Sequence, residues 1–109
     1  MGRIYEKLVR DRIPELIEAQ GEIPLAEVLD DEAYIRCLDE KMREELEEYL
    51  EDGSMEELAD LLEVIRAVIA ARGYPWDEVE RIRAAKAQRN GAFEKKLFLK
   101  SVKRMLPQT

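Results

Sequence analysis

From Glu44 to Asp60 the chain reads Glu-Glu-Leu-Glu-Glu-Tyr-Leu-Glu-Asp-Gly-Ser-Met-Glu-Glu-Leu-Ala-Asp, two helix-forming stretches divided by Asp52-Gly53-Ser54. Gly and Ser at such a break favour a tight turn followed by a new helix start. A short link between helices makes them antiparallel neighbours. Glu45 and Glu48 stand three apart before the turn, and Glu57 and Asp60 three apart after it. Residues three apart share a helix face. About Asp52-Gly53, Glu48 and Glu57 are equally distant in sequence, and so are Glu45 and Asp60. Folding the hairpin therefore brings four carboxylates level. They repel one another unless a cation sits among them, and converging carboxylate oxygens are the ligand set that Mg²⁺ or Mn²⁺ prefers.

The flanking pattern is helical. Asp30 or Asp31 caps a helix over residues 31–52, whose apolar stripe runs Ile35, Leu38, Met42 and Tyr49 with Glu45 in the middle of it. Glu45 thus stands where the 3.6-residue period asks for an apolar side chain. Ser54-Met-Glu-Glu57 matches a capping box, a structural use that competes for Glu57. Residues 58–71 are almost all apolar, which predicts a helix buried nearly all round. Asp60 interrupts that run, and a buried aspartate needs a partner. Either an arginine such as Arg66 pairs with it, so that Asp60→Asn destabilises, or it ligates a cation, so that Asp60→Asn stabilises the metal-free chain.

A short helix opens at Asp11-Arg-Ile-Pro and ends at Gly21; another runs from Trp76-Asp77 to Asn90-Gly91. The expected fold is all-α, an antiparallel helical bundle within a single domain of residues 1–109. A short strand pairing of residues 4–9 with 96–102 is the one β element that the pattern allows.

The 109 residues contain no histidine, which excludes histidine-based catalysis and argues against zinc. Cys37 is alone, so no disulfide forms within the chain. No apolar stretch reaches the roughly 18 residues of a membrane span, and the first residues lack an apolar signal core, so a cytoplasmic protein is expected. Charge is segregated. Residues 30–63 carry fifteen acids and three bases, whereas residues 81–109 carry nine bases and one acid. An acidic middle and a basic tail suit a polyanion held through metal on one side and cations on the other; simple attraction between the halves is the alternative. A nucleic-acid partner is opposed by the net charge of −7. Lys7 and Arg10 in the N-terminal arm, and Lys86 and Arg89 near the end of the last helix, are the candidate phosphate contacts. Solvated surface charge and complementing the helix dipole are their ordinary roles. Tyr34, Tyr49, Trp76 and Phe93 are able to stack on a base, though such residues more often fill a core.

The paired acids resemble the signature of the MazG-like all-α nucleoside triphosphate pyrophosphatases, Glu-Glu-x-x-Glu followed after a spacer by Glu-x-x-Asp. Here it reads Glu44-Glu45-Leu46-Glu47-Glu48 and Glu57-Leu58-Ala59-Asp60. The blocks Lys7-Leu-Val-Arg-Asp-Arg-Ile-Pro14 and Lys86-Ala-Gln-Arg-Asn-Gly-Ala-Phe93 look like the small single-domain subgroup labelled phosphoribosyl-ATP pyrophosphohydrolase-like. The resemblance covers nearly the whole chain. The eight residues between Glu48 and Glu57 make a shorter spacer than in many larger members. The resemblance implies a Mg²⁺ (or Mn²⁺) site at Glu45, Glu48, Glu57 and Asp60, with Glu45 or Glu48 as the general base. It implies the reaction NTP + H₂O → NMP + pyrophosphate, on non-standard nucleotides in a house-cleaning role or on phosphoribosyl-ATP in histidine synthesis. Lys7, Arg10, Lys86 and Arg89 would then neutralise the departing pyrophosphate. The rival reading is a non-catalytic dimeric helical module, which has no need of Glu45 and Asp60 on apolar seams. In either case the run of apolar residues at 58–71 predicts a homodimer or a higher homo-oligomer.

Overall fold

The structure, a computed structural model, describes residues 2 and 5–107. Four helices follow in order: α1 (Ile13–Ala19), α2 (Asp31–Asp52), α3 (Met55–Ala71) and α4 (Trp76–Asn90). Among the described residues there is no strand, and the fold is all-α. The strand pairing of the termini is absent from the described residues; Ile4, at the start of that segment, lies outside them. Local backbone accounts for the absence. Glu6 (φ 44°) and Lys96 (φ 59°) adopt left-handed conformations that interrupt an extended run in each segment. The chain divides into two compact units, Met1–Trp76 and Asp77–Thr109.

In the first unit the helix limits follow from short-range chemistry. Pro14 lies in the first turn of α1, where its missing N–H costs nothing. The Asp30 carboxylate accepts from the Ala33 amide at 2.8 Å and caps α2. Gly53 ends α2 in the left-handed region at φ 66°, its amide donating to the Tyr49 carbonyl. One residue later Ser54 caps α3 by accepting from the Glu57 amide at 3.3 Å. A two-residue link of this kind folds α3 back along α2, and these are the two helices of the unit that pack on each other. A Cβ placed on Gly53 meets no atom within 4 Å, so only its backbone conformation resists substitution. Gly53→Ala is expected to cost about 1 kcal/mol, the strain of a non-glycine residue in that region; a melting curve of the variant checks this.

The hairpin has two unlike sides. Leu38 (3% exposed) and Val64 (8%) mark its seam, and Glu45 is buried with them at 6%. At about 100° per residue, Leu46 and Leu50 lie 100–140° round α2 from Glu45, and Leu58 and Leu62 lie 120–160° round α3 from Val64 in the opposite sequence direction. Antiparallel packing turns both pairs to the same side. Glu44, Glu48, Asp60 and Glu63 fall on the other. The leucines are 43–70% exposed. The expectation of a helix buried nearly all round is therefore corrected for the single chain: within the first unit α2 is the helix that packs on α3, and it covers one face.

In the second unit α4 carries local ion pairs one turn apart, Arg81 with Glu78 at 3.1 Å and Arg83 with Glu80 at 2.6 Å. Lys86 and Arg89 are exposed on the same helix. Beyond α4 the backbone is irregular, and Leu97, Phe98, Leu99, Val102, Met105 and Leu106 are each at least 79% exposed.

Candidate functional site

Three of the four predicted carboxylates converge. One oxygen each from Glu45, Glu57 and Asp60 lies within 4.8 Å of the other two. Glu45 reaches the group from the buried face of α2; Glu57 and Asp60 come from the first turns of α3, three residues apart on one face. Glu48 is the fourth. It lies against Glu45, one turn further along α2, and is half-buried.

Burial and company set the chemistry of Glu45. Removal from water pushes its pKa above the ordinary carboxylate range, and a hydrogen bond and like charge from Glu48 push the same way. Lys41, one turn earlier, opposes them, its Nζ 3.4 Å from Glu45 Oε1. Even so, Oε2 of Glu45 and Oε2 of Glu57 are buried and have no hydrogen-bond partner. Buried carboxylate oxygens are ordinarily paired, because each unpaired one costs about 1–3 kcal/mol. Glu57 thus has one unpartnered buried oxygen while its amide serves the Ser54 cap. The donor set suits a hard divalent cation.

Asp60 is otherwise placed. It is only half-buried, and Arg10 Nη2 donates to its Oδ1 at 2.8 Å. The arginine expected for it by sequence proximity, Arg66, instead lies over the Trp76 ring, 5.0 Å from the centroid. Lys7 reaches Glu44 at 3.9 Å, and Lys41 reaches the same carboxylate at 3.5 Å.

A cleft of about 270 Å³ opens on the acidic side of the hairpin. Residues 8–11 of the N-terminal arm form one wall, Tyr34, Leu38, Lys41 and Glu45 of α2 a second, and Asp60, Glu63, Val64 and Ala67 of α3 a third. Arg10 lines it too. Of the four aromatic candidates, Tyr34 lines the cleft. Trp76 holds Arg66, and Phe93 is 97% exposed in the second unit. Lys86 and Arg89 also belong to the second unit, on α4. Lys41 was missed at the sequence level, and Glu63, which like Asp60 interrupts the apolar run, was given no role in the site. Lys41 was detectable, since it precedes Glu44 by three residues and Glu45 by four on one helix face.

The fold and site define the chain as an all-α protein with a helical hairpin that gathers carboxylates beside a cleft. No family model matches it, and no solved structure matches it. Over 42 residues it is 52% identical to a protein of Mycolicibacterium smegmatis described as uncharacterized, a stretch covering 38% of this chain and 43% of that protein. Among the described residues, no helix is long and apolar enough to cross a membrane.

Proposed function

We propose that this chain is a MazG-like, divalent-metal-dependent nucleotide pyrophosphohydrolase that converts an NTP and water to an NMP and pyrophosphate, acts in the cytoplasm and works as a homo-oligomer. The observation that carries the reading is Glu45: a carboxylate 94% buried whose Oε2 lacks a partner and converges with Glu57 and Asp60. Glu45, Glu57 and Asp60 would hold the cation, with Glu48 beside them. Bound there, Mg²⁺ or Mn²⁺ supplies charge neutralisation for the triphosphate and lowers the pKa of a water. The chain's own groups do the rest. Arg10 and Lys7 stand on the cleft side to meet phosphate oxygens. Glu48, or the oxygen of Glu45 left free of the cation, accepts the proton of the attacking water. The cleft of about 270 Å³ lies slightly below the range of about 300–1,000 Å³ typical of small-molecule sites.

The test is an assay of purified protein on standard and modified NTPs and on phosphoribosyl-ATP, with Mg²⁺, Mn²⁺ or EDTA. NMP and pyrophosphate in equal amounts, formed only with metal, are expected. NDP and orthophosphate, or turnover unaffected by EDTA, would overturn the reading. The homo-oligomer rests on the uncovered apolar side of the hairpin, where a second copy of the same face would bury Leu46, Leu50, Leu58 and Leu62 of both chains.

A further inference from the structure

We propose that Arg10 is an exchangeable counter-ion: it holds Asp60 while no divalent cation is bound, and is released to an anionic ligand group when a cation takes Asp60. This inference rests on reading Glu45, Glu57 and Asp60 as a metal centre. Asp60 differs from its two companions. Glu45 and Glu57 each keep a buried oxygen without a partner, although Lys41 stands 3.4 Å from the other oxygen of Glu45, whereas Asp60 is held by a guanidinium of the N-terminal arm at 2.8 Å. A cation entering the group therefore meets one unpartnered oxygen on each of Glu45 and Glu57, and an Asp60 already engaged by the arm.

That engagement is of the weak kind. The Arg10 and Asp60 side chains are 61% and 42% exposed, and exposed pairs of this sort hold loosely. Lys41 contrasts with it. At 20% side-chain exposure it spans Glu44 and Glu45 on its own helix, and its place is fixed by α2 itself. Arg10 comes from an irregular arm fifty residues away in sequence, free of any helix register. Arg10 and Asp60 line the same cleft, so the released guanidinium is already beside the ligand's position. A guanidinium next to a divalent cation is repelled, and a phosphate between them removes that repulsion. The planar fork of Arg matches phosphate oxygens two at a time. Cation and anion then favour each other's binding, and the coupling is reciprocal.

Titration calorimetry with Mn²⁺ alone, and then with pyrophosphate at saturating Mn²⁺, tests this on wild type, Arg10→Gln and Arg12→Gln. Arg12 is a neighbouring cation whose Nη2 pairs with Glu15 at 3.2 Å, outside the metal group. Removing the competitor is expected to tighten Mn²⁺ binding by Arg10→Gln about twofold to fivefold, the range set by an exposed ion pair. Arg12→Gln is expected to match wild type. Pyrophosphate binding to Arg10→Gln is expected to weaken about tenfold or more, the loss of a charge-assisted hydrogen bond. Melting curves without metal report that each variant is folded. Mn²⁺ binding by Arg10→Gln equal to or weaker than wild type overturns the exchange, as does an equal gain in Arg12→Gln or an unchanged pyrophosphate affinity. A wild type that binds neither Mn²⁺ nor Mg²⁺ overturns the metal centre, and the exchange with it.

Discussion

Glu45→Gln is expected to raise the melting temperature of the metal-free protein by about 4–8 °C at neutral pH, the shift that about 1 kcal/mol produces in a domain of this size. The wild-type carboxylate is desolvated and faces Glu48, so its folded pKa lies above its unfolded one. A raised carboxylate pKa means that the folded state binds more protons than the unfolded state between the two values. Stability therefore falls as pH rises through that window, beginning near the unfolded value of about 4.3. Glutamine has the same shape and no charge, so it removes the cost and flattens this part of the pH profile. Metal reverses the order. Binding to the folded state stabilises wild type by mass action, while Glu45→Gln, short of one ligand, gains much less. Turnover in the variant is expected to drop by about 100-fold or more, since even loss of a residue behind a metal ligand costs 10–100-fold. Melts of both proteins in EDTA and in millimolar Mg²⁺ check all of this; a metal-free variant that melts below wild type counts against it. Asp60→Asn should behave otherwise. Asp60 has Arg10 as a partner, so its loss is expected to lower metal-free stability by about 0.2–1 kcal/mol, the scale of an exposed pair. That revises the gain expected when Asp60 was taken as an unpaired member of the carboxylate group.

The joint substitution Leu58→Lys/Leu62→Lys is expected to turn a dimer into a monomer of 12.7 kDa. Both leucines lie on the side of α3 that α2 does not cover, at 47% and 54% exposure. Two buried apolar residues make a small core for the α2–α3 hairpin, and small domains that bury little apolar surface are marginal. In the proposed dimer a second hairpin packed on this side would complete the burial. Each leucine then gains on the order of 1 kcal/mol, half of a full burial. Four lysines per dimer remove those gains and place charge in the contact, a change on the order of 10³-fold or more in dimer affinity. The acidic side of the hairpin is untouched, so Mn²⁺ binding should persist in the variant. Light scattering or sedimentation at micromolar concentration checks the mass, and wild type already at 12.7 kDa would remove the proposed dimer.

Much of the hairpin was legible in the sequence because its determinants are local. Capping by Asp30 and Ser54, the glycine at 53 and the spacing of apolar residues fixed the limits of α2 and α3. Helix period and turn length set four carboxylates level, of which Glu45, Glu57 and Asp60 converge and Glu48 stands beside them. Glu45 announced itself as a carboxylate on an apolar stripe, and it is the buried one. What the sequence did not disclose depends on residues far apart in the chain. Asp60 had Arg66 near it in sequence, yet tertiary structure gave it Arg10, fifty residues away, and gave Arg66 to Trp76. An apolar pattern states that a face seeks cover and not what covers it, so α3 read as fully buried although within its unit α2 is the helix that packs on it. Periodicity and capping act within a turn or two of helix. Which cation reaches which carboxylate, and which oxygen is left without a partner, depends on where the packed hairpin and the N-terminal arm place atoms in space.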